Sequence, residues 1–110
     1  MDNFQVNSEL NTLVNCIKND KHVQKIYLFG SYAYGTPHKE SDYDIAVLSD
    51  LPKEEVIDNA VDIMMLIGDN FLKPYDLLVF NIEEFFKSAK ESLGIEKKIL
   101  NEGIELYGIQ

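Results

Sequence analysis

Apolar positions along this chain switch between two periods. Leu10, Leu13, Val14 and Ile17 recur at helical spacing and predict a helix from about Asn7 to Asp20. Asn7 or Ser8 is suited to cap its start, and Asn19, Asp20 and Lys21 end it. Ile26, Tyr27, Leu28 and Phe29 then form an unbroken apolar run, the pattern of a strand buried on both faces. Gly30 and Ser31 break that run. After a polar stretch punctuated by Gly35 and Pro37, a second strand alternates. Asp42, Asp44, Ala46 and Leu48 point one way, and Tyr43, Ile45 and Val47 the other. The stretch between is too short for a helical crossover with its turns, so the two strands are expected to run antiparallel.

Pro52 then opens a second long helix, with Glu54 and Glu55 at its positive end. Val56, Ile57, Ala60, Val61, Met64 and Ile67 make its apolar face, and Ile63, Met65 and Leu66 widen it, which predicts a deeply packed helix. Gly68 is a stop signal, although Asp-Asn-Phe after it can add a turn. A third strand runs from Tyr75 to Phe80, with Asp76 on the face of Leu78 and Phe80. Asn81 can cap the next helix, Glu83 and Glu84 suit its first turn, and Phe85, Phe86 and Ala89 turn inward. Gly94 splits the remainder into a further helix carrying Ile95, Ile99 and Leu100, which Gly103 stops. Ile104 to Tyr107 alternates weakly, as either a short edge strand or a docked tail.

No internal repeat or linker interrupts this order, and 110 residues suit one domain with one core. No apolar run approaches membrane-spanning length, and no signal-peptide pattern opens the chain. The single Cys16 has no internal disulfide partner, which fits a reducing cytoplasm, and no Cys/His cluster suggests zinc. Charge narrows the functions further. Nineteen acids face ten bases, a net charge of −9, and every base is a lysine. Such a chain lacks the basic footprint that grips a polynucleotide and the guanidinium fork that clamps phosphate. A small nucleotide, with a protein or small molecule as acceptor, suits it better.

The candidate chemistry lies between Gly30 and Asp44. Asp42 and Asp44 project side by side from one strand face, where two ionised carboxylates repel. A hard cation such as Mg²⁺ removes that repulsion and takes oxygen ligands. Gly30 lets backbone approach a ligand with no Cβ in the way. Ser31 offers a hydroxyl and a backbone N–H where donors converge on an anion. Read blandly, the same residues are a solvated Asp pair and a plain turn, yet Asp is disfavoured in strands. Asp76 would add a third carboxylate if its face is that of Asp42 and Asp44; otherwise it is a charge at a fraying strand end. Tyr32 and Tyr34 flank the turn, either stacking on a base or, as favoured here, packing on the sheet. His38 and Lys39 lie in the loop before Asp42, and Lys39 is suited to phosphate or simply to solvent. Cys16 reads as a packed thiol and His22 as a surface residue.

Gly30-Ser31, ten residues, then Asp42-x-Asp44 resembles the signature of the polymerase-β-like nucleotidyltransferases. From about residue 6 to 107 the chain is similar to the minimal, stand-alone domains of that superfamily. The resemblance implies an α+β fold, a mixed sheet with helices packed against it. It implies that Gly30 and Ser31 contact the nucleotide's phosphates, that Asp42 and Asp44 ligate two Mg²⁺ ions, and that Asp76 is the third metal-binding and catalytic acid. The implied reaction is in-line attack of an acceptor hydroxyl on the α-phosphorus of ATP, releasing pyrophosphate. Relatives often carry arginines after the Gly-Ser pair, where this chain has Tyr32 and Tyr34.

Domains of this kind often act as the antitoxin of a HEPN-domain ribonuclease toxin, which implies AMP transfer onto that partner within a hetero-oligomer. The chain is too small to add an acceptor-binding domain, and its acidity suits a basic partner. The alternative is a nucleotidyltransferase-fold binding module that neutralises its partner by docking alone. Modification of a small molecule, as in the aminoglycoside-modifying relatives, would usually need a further domain.

Overall fold

A central strand sorts the core of this protein into two halves. In the computed structural model, which describes residues 3–34, 42–91 and 94–108, strand β2 (Tyr43–Ser49) lies between β1 (Val23–Phe29) and β3 (Tyr75–Asn81). A fourth strand, β4 (Ile104–Gly108), pairs with the other side of β1, giving the order β3-β2-β1-β4. β1 is antiparallel to both β2 and β4, whereas β2 and β3 are parallel. The antiparallel pairing expected of the first two strands is therefore observed, the sheet is mixed, and the C-terminal segment is an edge strand rather than a docked tail.

Alternation along β2 sends Tyr43, Ile45 and Val47 to one face and Ala46 and Leu48 to the other. The first face packs on helices α1 (Asn3–Ile17) and α3 (Val56–Ile67) through Leu10, Leu13, Ile17, Ile63 and Ile67. The second packs on α4 (Ile82–Glu91) and α5 (Ile95–Glu102) through Phe85 and Ile99. Each of these side chains, removed from water, contributes about 1.5–3 kcal/mol before entropy is counted. Phe85 organises the smaller half, with ring centroids 5.3 Å from Phe80, 5.4 Å from Phe86 and 6.2 Å from Tyr27.

Several local expectations are met. Cys16 is buried and free, and Gly68 (φ 45°) closes α3 before one more turn over Gly68–Asn70. Asn81 caps α4, its Oδ1 accepting the Glu84 N–H at 2.9 Å. Other details change. α1 begins at Asn3, so Asn7 and Ser8 lie inside it and do not cap it, and it ends at Ile17 rather than near Asp20. Pro52 precedes a short 3-10 turn over Lys53–Glu55, and the α-helix starts only at Val56. His22 is half-buried, with Nδ1 2.8 Å from Asp50 Oδ1.

The larger correction concerns α3, which is not apolar all round in its packing. Asn59, Ile63 and Ile67 face the core, while Ile57, Val61, Met64, Met65 and Leu66 are exposed. Nine of the twelve residues 56–67 are apolar and the polar Asn59 faces inward, so periodicity does not reveal the inward side. A polar contact marks it instead: Asn59 Nδ2 donates to Asp20 Oδ2 at 2.9 Å, in the turn that follows α1.

Candidate active site

The turn after β1 is built against the second strand's acid. Phe29, the last residue of β1, stands in register with Asp44, and Gly30 follows with φ +75°. A Cβ at Gly30 would overlap Oδ2 of Asp44 and stand 2.8 Å from its Cγ, so only glycine fits without displacement. Ser31 then opens the short helix α2 (Ser31–Tyr34), where the Ala33 N–H donates to the Gly30 carbonyl at 3.0 Å.

Aromatic packing holds this turn in place. The Tyr32 ring stacks on Tyr43 with centroids 4.3 Å apart and planes 17° apart, so Tyr32 serves the core as expected. Tyr43 also meets the edge of Phe71. Its hydroxyl donates to a carboxylate oxygen of Glu9 on α1, and the other oxygen of Glu9 lies 3.2 Å from Lys73 Nζ. Burial, then the bond to and charge of Glu9, push the Tyr43 hydroxyl far above the usual phenol range, so it stays protonated. The Tyr43 N–H donates to the Pro74 carbonyl at 3.2 Å, which ties the start of β2 to the start of β3.

That tie sets the register in which Asp44 pairs with Asp76 across parallel strands. Both lie on the face of Ala46, Leu48 and Phe80, beyond the part that α4 and α5 cover. Burial, followed by the charge of Asp76, a hydrogen bond with it and the charge of Asp42, raises the Asp44 carboxyl above its ordinary value. Asp44 is half-buried, whereas Asp42 and Asp76 are exposed. Asp44 and Asp76 thus form a coupled pair with Asp42 on its flank.

The donor set suits a hard cation in kind: carboxylate oxygens, already repelling, beside a glycine too tight for any side chain. As the side chains lie, however, no group of three His, Cys, Asp or Glu among the described residues stands ready to hold a metal ion. His38, Lys39 and the side chain of Tyr34 lie outside the described residues. A cavity of about 270 Å³ lies at the far end of β3, lined by Val79, Phe80, Asn81 and Glu84.

Sequence reasoning missed Glu9, Lys73 and the bracing role of Tyr43. No spacing signals them, because Glu9 and Tyr43 are 34 residues apart and meet only when α1 lies on the sheet.

Comparison with known proteins gives the chain's family. The family model described as "Polymerase beta, Nucleotidyltransferase" matches residues 11–110. A candidate protein adenylyltransferase of Methanocaldococcus jannaschii, MJ0604, is 34% identical over 89 residues, 77% of this chain and 79% of that protein. The protein adenylyltransferase MntA of Shewanella oneidensis is 67% identical over 27 residues, which are 24% of this chain and 19% of MntA. A solved toxin–antitoxin structure with AMP-PNP is 26% identical with a TM-score of 0.56, covering 91% of this chain and 73% of that one.

Proposed function

This chain belongs to the polymerase β nucleotidyltransferase family, and we propose that it is a Mg²⁺-dependent protein adenylyltransferase that acts as an antitoxin in the cytoplasm. It would transfer AMP from ATP to a hydroxyl of a HEPN-type ribonuclease toxin. One observation carries the reading: Asp44 stands in register with Asp76 under a turn whose glycine is pressed against it. The similarity to protein adenylyltransferases, and to a toxin–antitoxin assembly with a nucleotide analogue, supports the substrate and the partner.

On this reading the site residues divide the work. Gly30 and Ser31 offer backbone donors and a hydroxyl to the triphosphate. Asp42 and Asp44 would hold two metal ions, with Asp76 completing the site for one of them. When bound, Mg²⁺ offsets the carboxylate repulsion and polarises the phosphate and hydroxyl oxygens. Asp76, exposed at its strand's edge, orients the acceptor hydroxyl and takes its proton. The acceptor oxygen bonds to the α-phosphorus, the bond to the bridging oxygen breaks, and pyrophosphate leaves.

Labelled ATP, Mg²⁺ and the purified partner test this directly. Label is expected on the partner, and Asp42→Asn or Asp44→Asn abolishes it. The second reading, neutralisation by docking alone, draws on the unclosed carboxylate set and on the absence of arginine from the chain. It prevails if the Asp42→Asn/Asp44→Asn protein silences the partner as well as the native chain does.

A further inference from the structure

The outer side of α3 carries a seam of apolar residues that the fold does not use. Ile57 is 77% exposed, Met65 76%, Val61 47% and Met64 42%. At 3.6 residues per turn these four fall on one arc of the helix, opposite Asn59, Ile63 and Ile67. Scattered exposed apolar residues are ordinary, but a contiguous stripe marks an interaction surface. The spacing, a residue and then the fourth, seventh and eighth after it, is the one by which a helix offers anchors to another helix. The methionines add side chains that adapt to a partner's shape.

Charge selects the occupant. Asp58 and Asp62 border the stripe on the same helix and both are exposed. α3 itself contains no basic residue. A second copy would set acidic rim against acidic rim on chains that each carry −9, and an anionic lipid surface would be repelled likewise. We propose that the outer face of α3 docks an amphipathic helix of the partner protein, one whose apolar stripe is bordered by lysine or arginine.

This surface lies on the layer opposite the carboxylates. α3 packs on the Tyr43, Ile45 and Val47 face, whereas Asp44 and Asp76 share the Ala46 and Leu48 face. Docking there leaves the nucleotide site open and keeps the acceptor nearby, raising its effective concentration. The identity of the partner rests on the function proposed above, although the surface and its chemistry do not.

Isothermal titration of the purified HEPN-type partner, without nucleotide or metal so that no transfer occurs, tests the proposal. Ile57→Glu/Met65→Glu is expected to weaken binding by about tenfold or more, as for loss of central apolar anchors, with thermal melting unchanged. Asp58→Lys/Asp62→Lys is expected to weaken binding and flatten its salt dependence, and Asp44→Asn to bind as the native chain does. Native affinity in the Ile57→Glu/Met65→Glu protein overturns the proposal, as does the absence of any complex with the native chain. A native dimer that the same substitutions dissolve also overturns it, by making the occupant a second copy. Label transfer with binding insensitive to α3 would sink the docking surface alone. α3-dependent binding without transfer would sink the adenylylation alone.

Discussion

Gly30 and Asp44 face each other so closely that a side-chain carbon on the first would overlap a carboxylate oxygen of the second. The turn and the acid are thus one unit, and neither can shift without the other. Gly30→Ala must move the Asp44 carboxylate or reshape the turn, and it also places a Cβ at φ +75°, which costs about 1–2 kcal/mol. The expected result is a loss of AMP transfer of about a hundredfold with a small fall in urea midpoint. Full activity in the alanine protein would separate the turn from the chemistry.

Asp44 is held in an environment that disfavours its charge, so the site should cost stability. Its carboxyl is raised above the ordinary value of 3.8, and the folded state therefore binds the proton more tightly than the unfolded chain. The sign follows: stability is greatest below about pH 4 and falls as pH rises through the raised value. Asp44→Asn removes that fall. In metal-free buffer at pH 7 the Asn protein should melt a few degrees higher, and the gap should close toward pH 4. Equal melting temperatures at pH 7 would show that the Asp44–Asp76 pair carries no strain.

Added Mg²⁺ should reverse that order. An ion bound only by the folded chain raises its stability by mass action, so millimolar Mg²⁺ should raise the native melting temperature and leave Asp44→Asn almost unmoved. Chelation should restore the metal-free values. A shift of the same size in both proteins would place the ion elsewhere.

Tyr43 braces the strand between Asp42 and Asp44 through its bond to Glu9 and its stack on Tyr32. Tyr43→Phe keeps the stack and loses the bond, for a cost of about 1 kcal/mol. Tyr43→Ala loses both and should cost about 3–5 kcal/mol. Denaturant unfolding measures both, and a phenylalanine protein as unstable as the alanine one would make the Glu9 bond, not the ring, the support.

The rotation of α3 makes a sharp pair. Ile63 is fully buried and Ile57 is 77% exposed. Ile63→Ala should cost about 2–4 kcal/mol, whereas Ile57→Ala should stay within about 0.5 kcal/mol. Urea midpoints of the two proteins check this; equal losses would mean that Ile57 also faces the core.

What the sequence by itself determined is local. Period-two alternation sorted Asp44, Ala46 and Leu48 from Tyr43, Ile45 and Val47, because side chains leave a strand on alternate faces. The Gly-Ser turn and its spacing to the two acids were legible for the same reason: they lie within one short hairpin-like unit. What only the tertiary structure decided involves partners distant in the chain. The parallel register sets Asp76 beside Asp44, and it depends on β3 returning past α3 and on the Tyr43–Pro74 bond. Glu9 reaches Tyr43 only because α1 lies across the sheet. The inward side of α3 was hidden because nine of its twelve residues are apolar and Asn59 is buried among them, so transfer from water favours several phases alike. The Asn59–Asp20 bond and the fit of Ile63 and Ile67 against β2 chose between them.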